Sequence, residues 1–145
     1  MAEKPAYFFR QSGAIPYRRV GPGIEVLLIT SSDGSRWIIP KGIIEPNMSA
    51  ADSAAKEAVE EAGLVGHVSA QPIGEFTYSK WGGTCHVEVF ALEVVQEMES
   101  WPESNVRKRE WLSLEEACKR ISDGNLRALL ARIPSHIESG AKDPP

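Results

Sequence analysis

Cysteine is scarce in this 145-residue chain: Cys85 and Cys118 stand alone, with no CxxC pair and no Cys/His spacing. That argues against a disulfide framework or a structural zinc site, and it suits a reducing, cytoplasmic setting. Long apolar runs are missing as well. No stretch nears the roughly 18 apolar residues of a membrane span, and the opening MAEKPAYFFRQ lacks a signal peptide's apolar core. Positive charge is not in excess either. With a formal net charge of −4, the chain as a whole does not attract nucleic-acid polymers or anionic membranes. Any polyanion must therefore be met by local basic patches. What is present, 42% hydrophobic and 25% charged residues without repeat or internal linker, suits one globular domain over residues 1–145. Loose ends are expected at about 1–5 and 138–145.

Periodicity and turn residues predict a mixture of strands and helices. AYFFRQSGAIPYRR and IEVLLITSS read as strands around the turn VGPG, and RWIIP as a short strand closed by Pro40. SAADSAAKEAVEEAGL is the strongest helix, with Ser49 and Asp52 resembling a capping box and Gly63 as terminator. VSAQPIGEFTYS and CHVEVFALEVV form a hairpin around KWGG. A strand in RKREWL and helices in SLEEACKRI and NLRALLARI follow. The expected class is α/β (α+β), helices on a mixed sheet.

The central helix carries Glu57, Glu60 and Glu61 at i, i+3 and i+4, which gathers three carboxylates on one stripe. Like charges so spaced cost about 0.2–0.5 kcal/mol per pair in an isolated helix. A second stripe of Ala51, Ala55, Ala58 and Ala62 lets this helix approach its sheet closely, with the acids bordering the preceding glycine loop. Either the acids are only solvated, or a hard divalent cation sits beside them.

From Gly42 to Leu64 the chain reads GIIEPNMSAADSAAKEAVEEAGL, which resembles the Nudix box, G-x5-E-x7-R-E-U-x-E-E-x-G-U, U being a bulky aliphatic residue. Gly42, Glu57, Glu60, Glu61, Gly63 and Leu64 match in register, and Ala58 is a small residue at the first U. Met48 replaces the box's first glutamate and Lys56 its arginine. The resemblance implies a Nudix-like α/β/α sandwich with a mixed β-sheet and hydrolysis of a phosphoanhydride with the help of Mg²⁺ or Mn²⁺. It assigns Glu57, Glu60 and Glu61 as metal-binding and catalytic carboxylates, Glu57 also orienting or deprotonating the attacking water. The Lys41 backbone carbonyl would complete the inner shell. In the family the first glutamate and the arginine brace the catalytic helix. With Met48 and Lys56 that brace is expected to be absent, and Glu45 could compensate in part. A catalytically weakened Nudix-fold ligand-binding or regulatory protein is the alternative.

Outside the box, SSDGSRWIIPKGIIEP and ESWPESNVRKREWLSLEEA resemble the diphosphoinositol polyphosphate phosphohydrolase branch, over roughly residues 10 to 121 in all. The implied substrate is a polyphosphorylated small molecule, either a diphosphoinositol polyphosphate or a dinucleoside polyphosphate. Arg10, Arg36, Arg107 and Arg109 are the candidate anion-binding residues, arginine being suited to bidentate phosphate contacts. By period two, Arg107 and Arg109 share a face of the RKREW strand and Lys108 the other. Glu88 is a further candidate ligand or base. His86, the four tryptophans and the two thiols read as packing residues.

Overall fold

The computed structural model describes residues 3–140. Eight strands make one mixed sheet: β1 (Arg10–Val20), β2 (Gly23–Thr30), β3 (Trp37–Ile38), β4 (Lys41–Ile43), β5 (Leu64–Val68), β6 (Gly74–Lys80), β7 (Gly83–Glu97) and β8 (Arg109–Ser113). Helix α1 (Ala50–Ala62) follows β4, and α2 (Leu114–Arg120), α3 (Gly124–Ala131) and α4 (Ile133–Gly140) close the chain. The central path runs β3-β2-β1-β7-β5, with β4 on β1, β6 on β7 and β8 on β2. Its one parallel pairing, β1 with β7, joins two antiparallel halves.

Alternation along the strands divides the core into two layers. Val26 and Leu28 face the side covered by α2–α4, where Ile121, Leu126, Leu130 and Ile133 pack on Ile15, Val87 and Val89. Leu27 and Ile29 face α1, together with Ala62 and Leu64. Ala54 and Ala58 lie on Ala14, Phe90 and Leu92. This is the expected sandwich, with α1 alone on one face. Its contact stripe is Ala54, Ala58 and Ala62 at i, i+4 and i+8, one residue away from the expected Ala55. The methyl side chains bring the helix onto the sheet and leave its acidic flank beside β4.

Several boundaries differ from expectation. Residues Ala6–Phe9 form a 3-10 turn and only Arg10 begins the strand. The segment beginning VSAQP is not one strand: β5 ends at Val68, and the Ser69 hydroxyl donates to the Gln71 carbonyl before Pro72. A serine that bonds its neighbours' backbone and a proline without N–H both break a ladder. The KWGG hairpin is present, with Trp81 and Gly82 both at positive φ, 54° and 73°. That backbone matches the twist of adjoining strands. Strand β8 starts at Arg109, so Arg107 and Lys108 precede it. The expected loose end from 138 is helical to Gly140, while 1–2 and 141–145 lie outside the described residues.

Candidate active site

Helix α1 begins where the Ser49 hydroxyl accepts the Asp52 N–H at 3.0 Å, and ends at Gly63, whose φ of 67° is the left-handed cap. Between these caps the box glutamates come to rest in different surroundings. Glu61 is buried, and its Oε1 accepts the Lys41 backbone N–H at 3.1 Å. Glu57 is half-buried against Gly42. A Cβ built on Gly42 would lie 2.5 Å from the Glu57 carboxyl carbon, so only glycine admits the carboxylate there. Glu60 stays on the rim, 3.6 Å from the Lys56 ammonium. All three line the same cleft, Glu61 buried and Glu60 at its rim. Among the described residues no three His, Cys, Asp or Glu side chains form a ready cage for a metal.

The electrostatics follow from burial. Desolvation pushes the Glu61 carboxyl up to about 8, while the Arg107 guanidinium and the Lys41 N–H pull against it. Glu57 is raised by burial and then by Glu60, with Lys56 opposing. A buried and a half-buried carboxylate at the Lys41–Gly42 backbone are chemically suited to a hard divalent cation, whose remaining positions waters and phosphate oxygens would fill. Ser12, in register with Gly42 on one side and Glu88 on the other, is buried with its Oγ unpartnered. Glu88 lies on the same face as Phe90, toward α1, and Glu75 stands opposite it on β6.

The cleft above these acids holds about 370 Å³ and is walled by Lys41, Glu45, Lys56, Lys80, Trp81 and Arg107. A narrower cavity of about 110 Å³ adjoins it, sharing Ile38, Lys41 and Tyr78, with Arg36, Trp37 and Phe76 as further walls. Lys41 stands at the junction. Its ammonium donates to the Tyr78 hydroxyl at 3.1 Å and lies 4.2 Å over that ring, while Tyr78 donates to Gln11. Burial lowers the Lys41 pKa, Glu61 acting the other way.

Of the expected anion ligands, Arg36 lines the narrower cavity. Arg10 is exposed at the head of β1 and lines neither space. Arg109 is turned away altogether: its guanidinium donates to the carbonyls of Ala62 and Met98 and stacks on Trp101 at 4.1 Å. Arg107 reaches the cleft wall but is engaged by Glu61, Glu103 and the Thr30 carbonyl. These backbone acceptors come from distant segments and so leave no local signal in the sequence. The side chains of Tyr78 and Lys80 were not anticipated as cleft walls. Lys80 and Trp81 flank a turn signal, and nothing in the sequence states which way that hairpin leans.

Met48 Sδ accepts from the Ser53 hydroxyl at 3.9 Å, and Lys56 points to Glu60. His86 pairs with Glu75 at 3.3 Å.

A NUDIX domain profile matches residues 9–132. The chain belongs to the Nudix family. Nudix hydrolase 17, mitochondrial, from Arabidopsis thaliana is 32% identical, over 91% of this chain and 77% of its own. Nudix hydrolase 16, mitochondrial, of the same plant is 36% identical, over 73% and 68%. The narrower resemblance has its counterpart in mouse diphosphoinositol polyphosphate phosphohydrolase 3-alpha, 38% identical over 66% of this chain and 58% of that one. Among solved structures, a C. elegans Ap4A hydrolase superposes with a TM-score of 0.73 at 21% identity, covering 90% of this chain and 98% of its own. This likeness bears on the fold. Family membership makes the chain a Nudix-type pyrophosphohydrolase.

Proposed function

We propose that this Nudix protein hydrolyses a phosphoanhydride in a polyphosphorylated small molecule, with Mg²⁺ or Mn²⁺ held by Glu57, Glu61 and the Lys41 carbonyl and Glu60 joining from the rim. One observation carries it: Glu57 and Glu61 meet the Lys41–Gly42 backbone at the floor of a lysine-walled cleft. A bound divalent cation would neutralise phosphate charge and lower the pKa of its water. The chain's own groups do the rest. Glu57 Oε, aimed at Gly42, orients the attacking water and takes its proton. Lys41 and Lys80 receive phosphate oxygens from the cleft wall, with Arg36 beside the adjoining cavity. With Arg109 occupied elsewhere, the anion clamp rests on these cations.

The narrower cavity bears on the substrate. Trp37, Phe76, Tyr78 and Ile38 offer flat, apolar walls that suit a nucleobase better than an inositol ring charged around its rim. That favours the dinucleoside polyphosphate over the diphosphoinositol polyphosphate. A reducing, cytoplasmic setting remains our proposal, supported by two unpaired thiols, Cys85 buried and Cys118 partly so.

The test is a substrate panel (a dinucleoside polyphosphate, a diphosphoinositol polyphosphate and ADP-ribose) with Mg²⁺, Mn²⁺ or chelator, following phosphate release and product identity. Metal-dependent hydrolysis of the dinucleoside polyphosphate supports the reading. Absence of turnover on every member would leave the ligand-binding alternative.

A further inference from the structure

A helix leaves its last carbonyls without intrahelical partners, and in α1 these belong to the turn that carries the metal-binding glutamates. Three consecutive ones are met by a single distant segment. The Glu60 carbonyl accepts the Glu103 N–H at 3.1 Å, that of Glu61 the Trp101 indole N–H at 3.0 Å, and that of Ala62 the Arg109 guanidinium at 2.8 Å. The same segment reaches the Glu61 side chain, where Arg107 Nη2 lies 3.5 Å from Oε2. Arg107 is itself fixed by Glu103 Oε1 at 2.7 Å and by the Thr30 carbonyl at 3.0 Å, and so is anchored to the end of β2. Trp101 lies so close over Gly63 that a Cβ there would come within 2.9 Å of the indole.

We infer that the segment Trp101–Arg109 is a positioning clamp on the catalytic helix, with Arg107 setting the direction of the Glu61 carboxylate. Resting on the hydrolase reading above, it does from the helix C-terminus what Met48 and Lys56 no longer do from the other side. Arg107 and Trp101 are positioning residues. Fixed outer partners hold a ligand's carboxylate in one rotamer, so the cation meets a prearranged oxygen and no side-chain entropy is lost on binding.

The experiment compares Arg107→Met, Arg107→Lys and Trp101→Phe with wild type, reading Mn²⁺ affinity by calorimetry, metal-free Tm, and kcat and KM separately. Arg107→Met should lose about 10- to 100-fold in Mn²⁺ affinity and in kcat, with KM nearly unchanged and partial rescue in Arg107→Lys. Trp101→Phe keeps the ring over Arg109 and removes one N–H, so kcat should fall more than Tm does. Wild-type Mn²⁺ affinity and kcat in Arg107→Met would overturn the clamp. So would a loss confined to KM, which would make Arg107 a substrate ligand. If Arg107→Met does not fold, unchanged affinity and kcat in both other variants overturn it. Should the wild type bind no Mn²⁺, the hydrolase reading fails separately. Amide exchange in the last turn of α1 then decides the clamp: faster in Trp101→Phe and Arg107→Lys if it exists, unchanged if it does not.

Discussion

Arg107 and Glu61 stand 3.5 Å apart with side chains only 11% and 10% exposed, joining the loop before β8 to the helix of the candidate metal site. The pair does not offset the burial of the acid, whose pKa still rises to about 8.

A pH dependence follows for the metal-free protein. Folded Glu61 keeps its proton to about pH 8, whereas the unfolded carboxyl ionises near 4.5. The unfolded chain therefore releases a proton first, and the stability present below about 4.5 is lost as pH rises toward 8. Tm without metal should fall across that window, and Glu61→Gln should flatten the decline. The Mn²⁺-induced rise in Tm should grow with pH over the same range. A metal-free Tm with the same pH slope in both proteins would contradict this.

Gly42→Ala places a methyl 2.5–2.7 Å from the Glu57 carboxyl atoms, so the carboxylate must move. A displacement of this size at a catalytic base costs on the order of 100-fold in rate. We expect kcat to drop by that order while the fold persists, as read by circular dichroism. A near wild-type kcat would remove Glu57 from the role of base.

Two arginines that look alike in the sequence should separate. Arg36→Ala should raise KM for polyphosphate substrates by about tenfold, the loss of one charge-assisted contact. Arg109→Ala should instead lower Tm, because the Ala62 and Met98 carbonyls lose their donor. Thermal melts and steady-state kinetics on both variants check the pattern, which reverses if Arg109 binds substrate.

Lys41 bridges the cleft and the narrower cavity. Lys41→Met keeps the chain's length and its packing on Tyr78 but removes the ammonium. Its effect on kcat/KM should be at least about tenfold and should grow with the number of substrate phosphates. Equal loss on ADP-ribose and on a dinucleoside polyphosphate would show that Lys41 only supports Tyr78.

The glutamate stripe was legible because helical spacing alone puts residues i, i+3 and i+4 on one flank. Gly63 was legible too, since a left-handed cap demands glycine, whereas the close approach of Glu57 to Gly42 shows only in the fold. For Arg107 and Arg109, period two gives a face and says nothing of what covers it. For Arg109 the covering groups are the Ala62 and Gly63 carbonyls, 47 and 46 residues away in sequence, and for Arg107 the Thr30 carbonyl, 77 away. The strand expected in VSAQP failed at Ser69, whose hydroxyl competes for backbone partners.

By itself the sequence determined the mixture of strands and helices, the α1 helix with its caps, and the placement of Glu57, Glu60 and Glu61 on one flank, because these follow from local periodicity and turn chemistry. Only the tertiary structure decided how deeply each glutamate is buried, which cations face the cleft, and that Arg107 and Arg109 grip the end of the helix. Those outcomes depend on desolvation and on backbone acceptors brought from distant segments, quantities that exist only once the layers have packed.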